Sequence, residues 1–198
     1  MSDGARRGIR IGKGLGDVNP ATLRFYRQIG VEEVAIPGRL VTSVTERPLV
    51  PPTQRGARGP QPAPWDPAEL TRIREHVASF GLDATQIALP LSGDILMGGP
   101  NRDAALDAVR ASLRAAGQAG LRGVTYSFTA LRASEGYAAR AGAGRGGADL
   151  RDFDADRIDD LPPLPDVGRI DEAAMWSHLA AFLEATVPAA DSPWPSGD

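Results

Sequence analysis

The 198-residue sequence contains no cysteine, one lysine (Lys13) and two histidines, His76 and His178. The missing cysteine excludes a disulfide framework, a thiolate metal ligand and a sulfur nucleophile. The single lysine among 22 basic residues leaves the positive charge almost wholly on guanidinium groups. That usage fits a nucleotide-composition bias toward Arg, Ala and Gly codons, so it carries little functional weight. A net charge of -3 and a pI near 5.5 supply no electrostatic drive toward nucleic acid or an anionic membrane. No run approaches the roughly 18 apolar residues of a membrane span. The opening "MSDGARRGIRIG" also lacks the apolar stretch of a secretory signal. The expectation is a cytoplasmic protein with neither nucleic acid nor membrane as partner.

With 42% hydrophobic and 24% charged residues, the chain can bury one good core or two small ones. Three times a helical pattern ends at a glycine and a short β-type run follows: "FYRQIG-VEEVAIPG", "VASFG-LDATQIALPLS" and "AGQAG-LRGVTYSFTAL". Gly30, Gly81 and Gly120 therefore read as residues that close helices. Asn19-Pro20 and Asp66-Pro67 read as capping side chains before a proline at the first helical position, and Glu69 completes what resembles a capping box. The pattern predicts strands near 8–13, 32–37, 84–91 and 122–129, and helices over 19–30, 66–81, 102–119 and 171–187. Leu70, Ile73, Val77 and Phe80 recur on helical spacing, as do Leu106, Val109 and Leu113, and Met175, Leu179, Phe182 and Leu183. One-faced helices alternating with short apolar strands call for a parallel sheet, either open and doubly wound or closed as a (β/α) barrel. Four units are visible, whereas a full eight-unit barrel takes about 250 residues. The reading is an α/β chain forming part of a (β/α)8 TIM barrel, with about four βα units and C-terminally truncated. Residues 1–190 form that N-terminal half, with long loops at 39–65 and 130–170. Residues 191–198 form a disordered tail, because "AADSPWPSGD" is too rich in proline to pair as a central strand.

Barrel enzymes take their chemistry from strand C-termini and the loops beyond them. The polar residues there are Lys13, Arg39, Ser92, Asp94, Tyr126, Ser127, Thr129, Arg132, Glu135 and Tyr137. Each alone is an ordinary loop residue, and only the shared position singles them out. Gly142, Gly144 and Gly147 have dinucleotide-loop spacing but lie far beyond a strand and open no helix, so a loop is the better reading. Both histidines fall inside helices beside the apolar stripe, where a core-edge role is commoner than metal ligation. Composition and spacing assign no catalytic residue.

The stretch "LPLSGDILMGGPNRDAALDAVRASLRAAGQAGLRGVTYSFTALRASEGY" resembles the mannonate dehydratase family. The shared features are its "GGP.RD" turn before a helix, a glycine turn and a tyrosine-containing strand. "PW" followed by "L..IREHVASFGL", and "W..L..FLE..VP", extend the resemblance over about residues 8–190. The resemblance implies dehydration of D-mannonate to 2-keto-3-deoxy-D-gluconate in hexuronate breakdown, with a divalent metal (Mn2+, Mg2+ or Fe2+). It implies a small sugar-acid substrate and a homo-oligomer. Tyr126 and Ser127 stand where the family has a tyrosine and an asparagine. The family's metal ligands are His, Cys and Asp side chains from the second half of the barrel, so no residue here corresponds to one and activity of this chain alone is expected to be impaired. Two alternatives remain: a non-catalytic half-barrel that binds a sugar acid or self-associates, and a sugar isomerase or epimerase of the same barrel superfamily.

Overall fold

The computed structural model describes residues 9–41, 61–129, 136–162 and 170–190. In chain order these form β1 (Gly12–Gly14), α1 (Pro20–Gln28), β2 (Glu33–Pro37), α2 (Pro67–Ala78), β3 (Asp83–Leu89), α3 (Gly93–Met97), α4 (Arg102–Gln118), β4 (Gly123–Tyr126), β5 (Tyr137–Arg140), β6 (Leu150–Phe153), α5 (Asp156–Asp159) and α6 (Glu172–Ala190).

Local chemistry sets the helix ends. The Asn19 side chain accepts a hydrogen bond from the Thr22 amide at 2.9 Å, and the Asp66 side chain accepts one from Ala68 at 3.0 Å. Each satisfies an amide that the first helical turn leaves without a partner. Glu69 does not complete the capping box but pairs with Arg72 on the next turn. Gly30, Gly81 and Gly120 have φ of 88°, 75° and 75°, a left-handed backbone that only glycine adopts without strain. All three predicted stops hold for this reason.

β1 to β4 form one parallel sheet in the order β1-β2-β3-β4. This is the order that successive right-handed βαβ units produce, and it is the arrangement of a partial (β/α) barrel, without closure among the described residues. The side chains of Val34, Ile36, Ile87 and Leu89 are buried against Leu70, Val77, Leu106 and Val109 of the helices. On the other face Gly14, Gln86, Ala88 and Thr125 are exposed. A register shift between Val34 and Ala35 accommodates Thr85, so that Ala35 pairs with Gln86.

The N-terminal ends of the strands are tied by charge. Arg10 Nη1 lies 2.6 Å from Glu33 Oε1, and Arg122 Nη2 lies 2.6 Å from Asp83 Oδ2 and 3.2 Å from Glu33 Oε1. Two guanidinium groups thus bridge two carboxylates that face each other in register on β2 and β3.

Several elements differ from the sequence reading. A short helix, α3, follows β3 where a loop is expected. Its start is capped by the buried Ser92, and its end falls at Gly98, with φ of 69°. Within the expected 130–170 loop, Tyr137–Arg140 and Leu150–Phe153 pair as an antiparallel hairpin. The glycines at 142, 146 and 147 provide its positive-φ turn residues. α6 continues through Pro188 to Ala190 rather than stopping at 187. A proline in the last turn removes one hydrogen bond near an end that already frays. The rest of the 39–65 loop beyond Val41, up to residue 60, and the tail at 191–198 lie outside the described residues.

Candidate functional site

Parallel strands share a C-terminal rim, so the candidate residues can be placed one by one. Lys13 is exposed, but it pairs with Val34. Its side chain therefore leaves from the helix-covered face of an edge strand. Arg39 is exposed in a 3-10 turn at Gly38–Leu40, and its Nη2 donates to the Gly16 carbonyl at 2.5 Å. This ties the loop after β1 to the turn after β2. Gly38 beneath it is buried against the Ala88 carbonyl, Pro90 and the Trp65 ring, with no room for a Cβ. That close approach explains why the turn carries glycine.

Ser92 and Asp94 are parts of the scaffold. Ser92 Oγ accepts from the Ile95 amide at 3.4 Å, and its own amide donates to Gln61 Oε1 at 2.9 Å. Asp94 Oδ1 accepts from the Asn101 amide at 3.3 Å, and Oδ2 from Asn101 Nδ2 at 3.5 Å. The carboxylate thereby sits at the start of α4, where the helix dipole favours negative charge. The "GGPNRD" turn is thus held by Asp94 on one side. On the other, His178 packs over Gly98 while its Nδ1 lies 2.9 Å from the Leu96 carbonyl.

Tyr126 pairs with Leu89, and its ring meets the Phe182 ring edge-on at 4.9 Å. It therefore stands on the helix side of the sheet. Ser127 follows it and is exposed. Thr125, which the sequence pattern did not single out, pairs with Ala88 and is exposed on the open face. Strand parity is the signal that finds it: once Val124 is placed opposite Ile87 in the core, its neighbours must face the other way. Thr129 is exposed beyond the strand.

Tyr137 lies in the hairpin, edge-on to Phe153 at 5.0 Å, with the Arg151 guanidinium 3.9 Å above its ring. The opposite face of this hairpin carries an ion-pair clamp. Asp152 Oδ1 accepts from Arg157 Nη1 at 3.0 Å and Oδ2 from Arg140 Nε at 2.6 Å. The hydrogen bond from Arg157, followed by that from Arg140, holds the Asp152 carboxyl below its ordinary range, and the same bond raises Arg157. Arg132 and Glu135 lie outside the described residues. The structure therefore brings Arg39, Thr125 and Ser127 to one rim, while Ser92 and Asp94 brace a turn, Lys13 and Tyr126 take the helix side, and Tyr137 belongs to the hairpin.

The donors for a divalent cation do not assemble among the described residues. Among the described residues no three His, Cys, Asp or Glu side chains gather as a metal-binding group. His76 Nε2 lies 2.9 Å from the Val18 carbonyl, with its ring edge-on to Phe80. Both histidines thus sit against backbone carbonyls. Glu33 and Asp83 are at the opposite rim and paired with arginines. This donor set does not fit the metal that the resemblance implies.

Sheet order, helix placement and a polar C-terminal rim put the chain in the class of α/β proteins built on (β/α)-barrel units. In sequence and in fold it is similar to part of mannonate dehydratase. The chain is 32% identical over 114 residues to the mannonate dehydratases of Streptococcus suis strains 05ZYH33 and 98HAH33, a match covering 54% of this chain and 28% of those proteins. Its fold matches the crystal structure of mannonate dehydratase from Streptococcus suis serotype 2 with a TM-score of 0.69 at 21% identity, covering 93% of this chain and 51% of that one. The chain therefore spans about half the length of the solved relative. No protein-family model matches it.

Proposed function

We propose that the chain is the substrate-facing half of a lyase of the mannonate dehydratase type, acting on a small sugar acid in the cytoplasm. The observation that carries this reading is the agreement of sequence and fold: the mannonate dehydratase similarity over 114 residues lies in a chain whose fold follows a mannonate dehydratase over 93% of its length. The reaction removes a weakly acidic proton beside a carboxylate and expels hydroxide, so charge must be stabilised where it develops. The described residues do not hold a cation for that purpose, and the share assigned to this chain is binding. Thr125 and Ser127 offer hydroxyls that both donate and accept toward a polyol, and Arg39 adds a cation on the same rim. No helix among the described residues is long and apolar enough to cross a membrane.

The test uses the purified 198-residue chain with D-mannonate and Mn2+ or Mg2+. The expected result is saturable binding, seen by ligand-observed NMR and weakened by Thr125→Val with Ser127→Ala, without metal-dependent consumption of D-mannonate. Turnover abolished by a chelator would show that this half suffices for chemistry. Absence of binding at millimolar D-mannonate would remove the substrate-facing reading. The isomerase or epimerase alternative rests on the barrel class alone, and nothing at the rim favours it.

A further inference from the structure

The loops that follow β1, β2 and β3 at the C-terminal rim are tied together by a segment that reaches them from elsewhere in the chain. β2 pairs with β3 as far as Pro37 and Ala88 and then leaves the sheet in the turn at Gly38–Leu40. It no longer runs beside the chain beyond β3. Leu91 there is nevertheless 2% exposed, and the backbone groups around it need partners. The side-chain amide of Gln61 supplies them. Its Nε2 donates to the Pro90 carbonyl at 2.9 Å, and its Oε1 accepts from the Ser92 amide at 2.9 Å. One donor and one acceptor thus meet the groups on either side of Leu91, the pattern by which a residue of a parallel strand pairs with its neighbour.

Further along the same segment is a second attachment. The Trp65 amide donates to Ser112 Oγ of α4 at 3.2 Å, and both residues are buried. The Trp65 ring and Pro90 then form two walls of the slot that receives Gly38. Trp65 Cζ2 and Pro90 Cδ each lie 3.1 Å from where a Cβ on that glycine would stand. Gly38 opens the turn that carries Arg39, and Arg39 Nη2 donates across to the Gly16 carbonyl in the loop after β1. Each wall is therefore held by one polar side chain, Pro90 by Gln61 and Trp65 by Ser112.

We infer that Gln61 and Ser112 are positioning residues of the rim: through Pro90, Trp65 and the Gly38 slot they set the direction in which Arg39 leaves the sheet, and with it the loop after β1. The slot has no slack, since not even a Cβ fits, so a shift of either wall is passed to the turn. Hydrogen bonds suit this task because they are directional, whereas apolar contacts resist separation without fixing orientation. The use of this arrangement for binding rests on the reading of the rim as a sugar-acid site. The placing of Arg39 itself is measurable without a ligand.

The test is made on the purified 198-residue chain. The Nε–Hε NMR signal of Arg39, assigned by its loss in Arg39→Gln, should shift in Gln61→Met and in Ser112→Ala with no ligand present. The same two variants should bind D-mannonate about 10-fold more weakly, because small displacements of a binding group are costly. Ile73→Val trims the core face of α2; it is the control for a general loss of stability and should change neither reading. Far-UV circular dichroism checks folding. Should Gln61→Met not fold, Gln61→Asn, too short to reach both backbone groups, takes its place. An Arg39 signal that stays in place in both variants, or that moves as far in Ile73→Val, overturns the inference. So does an unchanged D-mannonate affinity beside a shifted signal. A wild-type chain that binds no D-mannonate overturns the sugar-acid reading instead, and the Arg39 signal then decides the positioning alone.

Discussion

The two faces of the four-stranded sheet are finished to different degrees. On the helix side Val34, Ile36, Ile87 and Leu89 are at most 5% exposed. On the other side the register brings together Gly14, Ala35, Pro37, Gln86, Ala88 and Thr125, small or polar residues that are exposed or half-buried. Apolar burial is the main favourable term in folding, so the described chain draws its stability from one face. The open face is free to carry polar groups at its C-terminal end and a charge network at its N-terminal end. In a closed barrel this second face would line the interior, where bulky branched side chains usually fill the space. Here glycine and alanine leave it shallow.

The sharpest way to break this comparison is to substitute adjacent residues of β3. Ile87→Ala removes fully buried atoms and should cost about 3 kcal/mol in urea unfolding. Ala88→Ser, one residue on and facing the open side, should change stability by less than about 0.5 kcal/mol. Equal effects would mean that the open face is covered in solution. A somewhat smaller effect is expected where the two faces meet at the rim. Gly38→Ala would drive a methyl against the Ala88 carbonyl and the Trp65 ring, for a loss of about 1–3 kcal/mol by overpacking. An unchanged unfolding midpoint would show that the β3 backbone gives way at Ala88.

The charge network at the other end of the open face tests whether polar contacts there add stability. Arg122→Ala removes one of the two guanidinium bridges between Glu33 and Asp83 and leaves that of Arg10, groups that are only partly screened from solvent. The expected cost is about 0.5–1 kcal/mol at low ionic strength, shrinking in high salt. A salt-independent loss would show packing rather than charge to be responsible.

The smallest expected effect lies in the hairpin. Because Asp152 is held below its ordinary value in the folded state, its ion pairs contribute fully at neutral pH. That contribution is lost as pH falls below the normal carboxylate range toward the lowered value. Amide NMR signals of Tyr137–Phe153 should therefore lose dispersion in that acidic window, and Asp152→Asn should remove the pH step. An unchanged step in the variant would assign it to another carboxylate.

What could be read without the fold was whatever depends on near neighbours in sequence. Asn19-Pro20, Asp66-Pro67 and the stops at Gly30, Gly81 and Gly120 act through hydrogen bonds and dihedral angles within a few residues. They located three helices, and the order of the strands followed from right-handed crossovers. The site was less legible. Ser92 and Asp94 looked like free rim groups, yet they cap α3 and brace the start of α4. Gln61, a partner of Ser92, becomes its neighbour only when a distant segment folds back, and Asn101 reaches Asp94 only once α3 ends in the turn at Gly98.

The sequence by itself determined the helix boundaries at its caps and glycines, the parallel order of the strands and the absence of any thiolate chemistry. Only the tertiary structure decided which of two adjacent residues faces outward. Thr125 and Tyr126 are both polar residues at the end of one strand, and alternation alone allows either to face the open side. Pairing with Ala88 and Leu89 resolves it, because a one-residue change of register exchanges the two faces of a strand, and register is set by long-range partners.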